Sequence, residues 1–259
     1  MTKTMMTLFA RDLRKAMNLR AFLIWAALAG MGVFFFFATG AKTQLLENDR
    51  IDYMSLFLPH MIFGAWAVLS VYFDLISADR QHNVLDCILS SGVSKATIFL
   101  SKTMLAMVMS LILSIIYLLP LAVVVTGLTG DVGHAGEILL YILPLWGHIM
   151  VYASMGVLIS VIARSSKAAL IWSLAAGLLL MPRLFVMMVE GVGNAFGWTA
   201  DVIRDVSLIA PGVMVQALSE TSESSRFALA AKVFAVSVLV FFALGYVTFL
   251  RQDEWNYGE

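Results

Sequence analysis

Charged residues are scarce in this sequence. Asp, Glu, Lys and Arg make up 13% of the 259 residues, whereas about 25% is usual in soluble domains. Hydrophobic residues make up 61%, which excludes a disordered chain and argues against an ordinary soluble domain. Basic and acidic residues are equal in number, at 17 each. A nucleic-acid-binding surface is therefore not favoured, and we expect no nucleic-acid partner.

Residue patterns for metal binding and covalent chemistry are also missing. Cys87 is the only cysteine, so no disulfide can form within the chain, and no Cys/His cluster offers four zinc ligands. The motifs HExxH and GxSxG of hydrolases and the phosphate-binding motif GxxxxGK[ST] are absent. The sequence predicts no catalytic residue, no metal site and no cofactor bound by this chain.

Long apolar runs dominate what is present. At a rise of about 1.5 Å per residue, each run is long enough to cross a hydrocarbon core about 30 Å thick. We expect helices, because lipid cannot satisfy exposed backbone groups. The sequence predicts an all-α integral membrane protein, a single transmembrane domain over 1–259 in contact with the lipid bilayer. Its six transmembrane helices are expected at about 21–40, 54–76, 103–127, 138–162, 168–189 and 227–250.

The first 20 residues have a different pattern. At helical spacing, Met5, Leu8, Phe9 and Leu13 group together with Asp12, while the basic residues fall mainly elsewhere. This pattern is typical of an amphipathic helix lying in the membrane interface before the first span. The alternative is a solvated helical leader.

The distribution of Lys and Arg predicts the topology. With the amino terminus inside, eleven of these residues lie in cytoplasmic segments and four in outer segments, while two lie within spans. Both termini are therefore expected to be cytoplasmic. Two connections are long. Residues 77–102 form a cytoplasmic segment, and residues 190–226 form a half-apolar outer segment expected to contain short helices.

The cytoplasmic segment carries a family pattern. Residues 79–102 read DRQHNVLDCILSSGVSKATIFLSK. They resemble the loop of type-2 ABC exporter permeases, whose pattern runs roughly E-R-E-x-G-T-x-E-x-L-L-x-x-P-V-S-x-x-E-I-x-x-G-K. The matching residues are Asp79, Arg80, Asp86, Ile88, Leu89, Val93, Ser94, Ile98 and Lys102. The residues that depart from it are Asn83, Val84, Gly92, Thr97 and Ser101.

The resemblance implies a function for this segment. In the family, the loop is the coupling element that binds a separate ATPase and transmits its closure to the spans. A helix with one apolar side can dock into a groove of such a partner, and its charges can orient it. The alternative is a purely structural interfacial helix. The predicted partner-binding residues are Asp79, Arg80, Leu85, Asp86, Ile88, Leu89, Val93, Ser94 and Lys102.

The resemblance also implies an assembly and a location. The expected partners are two copies of an ABC ATPase, which bind ATP and magnesium, and a second copy of the permease. The expected location is the plasma membrane of a bacterium, as a multi-pass protein. The exported substrate could be a peptide, a lipid, a glycan or a drug.

Two histidines lie within predicted spans. His60 follows Pro59 in the second span, and His148 lies mid-way along the fourth, with Tyr152 one turn later. Polar residues in the membrane are costly and are candidates for function. We interpret His60, His148 and Tyr152 as residues of a substrate path. The alternative is that the histidines are hydrogen-bonded between packed helices.

Two other classes of protein stay open on the sequence alone. A membrane-embedded enzyme acting on lipid or peptide would need His60, His148 or Asp74 without any ATPase partner. A secondary transporter driven by an ion gradient would normally show paired repeats or broken helices with buried carboxylates. Here the acidic residues lie almost entirely outside the predicted spans. The sequence therefore favours a secondary transporter less than an exporter permease or a membrane-embedded enzyme.

Overall fold

The computed structural model describes residues 2–17, 19–49, 51, 53–213 and 224–252, which form helices and no strand. The predicted all-α class is confirmed. The part of the outer segment at 214–223 lies outside the described residues. The helices are α1 Thr2–Ala16, α2 Leu19–Ala38, α3 Ala41–Asn48, α4 Tyr53–Tyr72, α5 Ser77–Gln81, α6 Val84–Ser90, α7 Lys95–Thr129, α8 Val132–Leu140, α9 Ile142–Ile162, α10 Ser166–Leu179, α11 Pro182–Ala195, α12 Ala200–Ser207 and α13 Ser224–Arg251.

Five helical stretches of the described residues are long and apolar enough to cross a membrane. They correspond to the first, second, third, fourth and sixth predicted spans, so the chain is a multi-pass membrane protein. These stretches are Ala21–Ala38, Ser55–Gln81, Lys95–Thr129, Val132–Ile162 and Ala231–Arg251.

The fifth predicted span, 168–189, is not one continuous helix. Helices α10 and α11 are bent by 69° relative to each other, and only together do they meet the criteria for a span. Pro182 begins α11, and Met181 before it has an extended ψ of 129°. Proline lacks a backbone N–H and disfavours helical conformation in the preceding residue, which explains the break. The described spans number five, or six if the bent pair crosses as one.

Helix α7 is longer than the predicted third span. Its 35 residues extend over about 52 Å. The helix begins inside the segment predicted as a loop, because the side chain of Ser94 caps it by accepting a 3.2 Å hydrogen bond from the Thr97 amide. The connection between α4 and α7 is therefore short and consists mainly of α5 and α6.

Helix α1 occupies most of the predicted amphipathic segment 1–20. Its residues Leu8, Phe9 and Leu13 pack against the hydrophobic core of the bundle, and it lies beside α7. Its position in a membrane interface stays a prediction. The apolar side of α1 is thus covered, at least in part, by the protein itself.

Helix α9 lies at the centre of the bundle, where it packs against α4, α7, α10 and α13. Gly156 lets it approach α4 closely. A Cβ atom at this position would lie 2.9 Å from Cβ of Tyr72 and 3.4 Å from its backbone carbonyl carbon. Glycine therefore permits a helix contact that a larger residue would push apart.

We expect the substitution Gly156→Ala to destabilise the protein by about 1–3 kcal/mol, because the added methyl group overpacks a filled interface. Gly30→Ala is the matched control, since nothing lies within 4 Å of a Cβ atom at Gly30 in α2. Thermal unfolding in detergent would measure both. An unfolding midpoint for Gly156→Ala equal to that of the control would contradict the packing argument.

Candidate functional site

The predicted coupling segment has its apolar side turned towards the chain itself. Leu85 is fully buried, and the half-buried residues Ile88, Leu89 and Val93 pack against the hydrophobic core. The sequence pattern had assigned this side to a partner. The exposed residues of α6 therefore lie on its opposite side.

That opposite side is polar. It forms a surface, here named the α6 face, which combines exposed residues between 82 and 91 with the half-exposed carboxylate of Asp86. Asn83 starts α6 in a left-handed conformation with φ of 57°, which turns the chain sharply away from α5. Ser94, at the start of α7, is exposed as well. The exposed residues of the α6 face are His82, Asn83, Cys87, Ser90 and Ser91.

Asp79 lies at the centre of a buried ion cluster. Lys102 Nζ lies 2.5 Å from Asp79 Oδ2 and 2.9 Å from Asp12 Oδ2, and each of these three residues is exposed by 3% or less. Lys15 and Arg11 add contacts to Asp79 of 3.1 and 3.3 Å. The cluster joins α1, α5 and α7. Asp79 and Lys102, both predicted partner-binding residues, are thus engaged inside the chain.

Arg80, the next residue of α5, points to other helices. Its Nη1 donates to the carbonyl of Ala163 at 3.0 Å and its Nη2 to that of Val161 at 2.9 Å. Nη2 also donates to Gln252 Oε1 at 2.9 Å, and Gln252 Nε2 donates to the Val161 carbonyl at 3.2 Å. The last carbonyls of a helix have no partner within it. Arg80 therefore ties the end of α9 to the residue that follows α13.

The three predicted substrate-path residues come together in one buried cluster. The ring centroids of His60 and His148 are 5.8 Å apart, and Tyr152 stands edge-on to His148 at 5.2 Å. Tyr117 and Trp25 complete the cluster against His60, at 4.3 and 5.2 Å. All five side chains are buried. This region of the bundle is closed to solvent in the conformation described here.

The outer segment reaches this cluster. The backbone of Pro211 approaches His148, and that of Gly212 approaches Tyr152. Both residues are buried, as is Ala210 before them. A connection predicted to lie in the outer leaflet thus extends to residues in the middle of α9.

The comparisons with known proteins add one finding. The family model described as ABC-2 family transporter protein matches residues 6–254. The chain belongs to the ABC-2 transporter family. No curated protein matches the sequence. Family membership makes the chain a membrane permease component of an ABC transporter and confirms the resemblance seen in residues 79–102.

In this ABC-2 permease, sequence reasoning missed the ion cluster that joins Asp79 and Lys102 to α1. One signal was present: Asp12 lies among the apolar residues of an amphipathic helix, where an acidic residue needs a buried cation. For Tyr117 and Trp25 there was no such signal, because an aromatic residue within an apolar span is usual. The hydroxyl of Tyr117 donates to the Leu56 carbonyl.

We expect Lys102→Met to destabilise the permease by about 3 kcal/mol, the low end of the cost of breaking a buried ion pair, because Asp12 and Asp79 lose their shared buried cation while Arg11 and Lys15 still contact them. Lys167→Met, which removes an exposed lysine at the start of α10, is the control. Thermal unfolding in detergent would compare the two. The double variant Asp79→Asn with Lys102→Met should lose less stability than the sum of its single variants. Strict additivity would show that the two residues are not coupled.

Proposed function

We propose that this chain is the membrane-spanning subunit of an ATP-driven exporter, and that its ATPase is a separate polypeptide bound at the α6 face. The observation that carries the proposal is the construction of the α5–α6 segment. One side of it is attached through Asp79 and Arg80 to α1, α7 and α9 and to the residue after α13, while the other side is exposed. A segment with these two sides is suited to receive a partner and pass its movement on.

The proposed ATPase is separate because the chain has no GxxxxGK[ST] motif to cradle phosphates. ATP and magnesium would then bind to the partner. By family resemblance, we propose two ATPase copies and a second permease copy, in a bacterial plasma membrane with both permease termini in the cytoplasm. This orientation places the α6 face on the side where ATP is available.

The proposed docking surface consists of the residues of this segment whose side chains are exposed. We propose that the partner contacts the polar side of α6, with Asp86 as its charged residue, and that Leu85, Ile88 and Leu89 support the helix from within. Ser94 adds an exposed hydroxyl beside this surface. Asp79, Arg80 and Lys102 take part indirectly, by holding the segment in place.

We propose that the substrate path passes the His60, His148 and Tyr152 cluster. These residues are closed in by packing, so transport requires that the helices carrying them move apart. Both His148 and Tyr152 belong to α9, whose end is bound by Arg80. The substrate, among peptide, lipid, glycan and drug, is left to experiment.

An ion-coupled transporter is the second candidate to be weighed, because the broken α10–α11 pair and the buried carboxylates are features of that class. The carboxylates Asp12 and Asp79 are, however, already paired with Lys102. They also lie at the end of the bundle that carries α5, away from the cluster around His148. This arrangement favours a structural role for them over ion binding.

Affinity purification of the tagged protein in mild detergent tests the proposal. We expect a protein with a GxxxxGK[ST] motif to co-purify stoichiometrically. Asp86→Lys should reduce its recovery, because the substitution reverses the charge on the α6 face. Glu190→Lys, a charge reversal at an exposed residue of α11, should not. A stable purified complex without any ATPase would contradict the proposed function.

A further inference from the structure

We infer that Arg80 is the positioning residue through which movement of the α6 face reaches α9 and α13, and that Asp79 directs the same movement to α1 and α7. This inference rests on the proposed function, and it assigns to two adjacent residues the transfer of force to different helices. It follows from how α5 is held.

Helix α5 is separated from α4 by four turn residues, 73–76, although the two lie in one apolar stretch. Hydrogen bonds to a side chain of α9 stabilise this break. The buried Ser160 Oγ accepts hydrogen bonds from the amides of Ile76 at 2.8 Å and Ser77 at 2.9 Å. Without Ser160, these amides would be buried and unpaired at the start of α5. The start of α5 is thus fastened to α9.

The other end of α5 is fastened to the same corner of the bundle. Arg80 binds the carbonyls of Val161 and Ala163, where α9 ends. The next residue, Gln81, accepts a 3.2 Å hydrogen bond from the Ser166 amide, where α10 begins. The contacts with α9 and α10 therefore occur at both ends of this short helix. If α5 shifts, the α9–α10 corner has to shift with it.

Gln252 extends the connection to α13. Its side chain accepts from Arg80 and donates to Val161, while its carbonyl accepts a 2.6 Å hydrogen bond from Lys95 Nζ. One guanidinium thus holds the ends of α9 and α13 together. The planar group of arginine presents several donors in a fixed fork, which the single ammonium of lysine cannot reproduce. The identity of this residue matters as well as its charge.

Asp79 points in another direction from the same helix. Its carboxylate contacts Lys102 of α7 and Lys15 of α1. Asp79 and Arg80 are both buried, with exposed fractions of 2% and 8%. Their burial excludes most of the water that would weaken these contacts. Asp79 thus contacts α1 and α7, whereas Arg80 contacts α9 and the residue after α13. Helix α9, which Arg80 contacts, carries His148 and Tyr152.

Hydrogen–deuterium exchange of the permease alone, measured by mass spectrometry, tests the contacts. In Arg80→Gln we expect faster exchange at the end of α9 (157–166) and the end of α13 (246–252), besides α5 and α6. In Arg164→Gln, which changes an exposed arginine at the same corner, we expect wild-type exchange. A change confined to α5 and α6 in Arg80→Gln would overturn the inference.

A second variant distinguishes the loss of specific contacts from general unfolding. Gln252→Ala keeps Arg80 and its two carbonyl partners at the end of α9 but removes the side chain by which the residue after α13 binds Arg80 and Val161. We expect a larger increase in exchange at 246–252 than at 157–166, because Arg80 still binds both carbonyls at the end of α9 and only the hydrogen bond from Gln252 to Val161 is lost there. Unchanged exchange at 246–252 would overturn the assigned link between Arg80 and α13.

Exchange measured on the complex of the permease with its ATPase tests whether Arg80 transmits movement from the α6 face. Exchange is compared without nucleotide and with ATP trapped by vanadate. In the wild-type complex we expect a nucleotide-dependent difference at the α6 face and at the ends of α9 and α13. In Arg80→Gln the ATPase should still bind and the difference at the α6 face should persist, while the difference at 157–166 and 246–252 is lost. Arg80→Lys should retain part of it.

The outcomes separate this inference from the proposed function. If Arg80→Gln keeps the full nucleotide-dependent difference at α9 and α13, transmission through Arg80 is wrong even though the ATPase binds. If the wild-type chain retains no ATPase, the proposed function fails. The exchange measured on the permease alone still supports or overturns the contacts of Arg80.

Discussion

The ion cluster of Lys102 with Asp12 and Asp79 is the constraint on which the end of the bundle around α5 depends. Removing charges from water costs several kcal/mol per ion, and this cost is offset only when the partners lie close and in good geometry. Here one ammonium lies within 3 Å of two carboxylates from different helices. The positions of α1, α5 and α7 relative to one another are therefore narrowly defined. A shift of α7 would separate the buried ammonium of Lys102 from both carboxylates.

The same principle accounts for the irregular backbone in this membrane protein. Breaks in spans are tolerated where neighbouring groups satisfy the freed amides and carbonyls. Ser160 does so for the turn between α4 and α5, and Arg80 does so for the end of α9. The break before Pro182 has a local cause in the proline itself. The side chain of one helix thus permits a neighbouring helix to end or bend.

These contacts give the α5–α6 segment two different sides. Its inner side is bound by charge and by hydrogen bonds to the long helices, and its outer side is polar and exposed. In the proposed function, this segment links the ATPase-binding surface to the membrane-spanning part. The proposed division between Asp79 and Arg80 explains how one short connection could act on four helices. The closed cluster around His148 belongs in part to α9, the helix on the proposed route through Arg80.

Much of the fold could be predicted because the relevant signals are local. Five of the six predicted spans correspond to apolar helices of the structure, and the family pattern in 79–102 pointed to the family that the full-length match then established. The orientation of α6 could not be predicted from that pattern. An apolar side on a short helix fits a partner's groove and the chain's own core equally well, and Leu85 packs into the core. The bend of the fifth span depends on Pro182, which was visible, but a proline alone does not decide between a kink and a break.

The sequence by itself determined that this chain is a helical membrane protein, because the demand of lipid for apolar side chains and paired backbone groups acts on each segment separately. It also determined which polar residues are unusual, such as His60 and His148 within spans. Only the tertiary structure decided their partners. Residues 12, 79 and 102 form one ion cluster, and residues 80, 161 and 252 form one hydrogen-bonded group, although each set is spread over much of the chain. Such contacts arise only when the helices pack, since neither local spacing nor composition determines which distant side chains will meet.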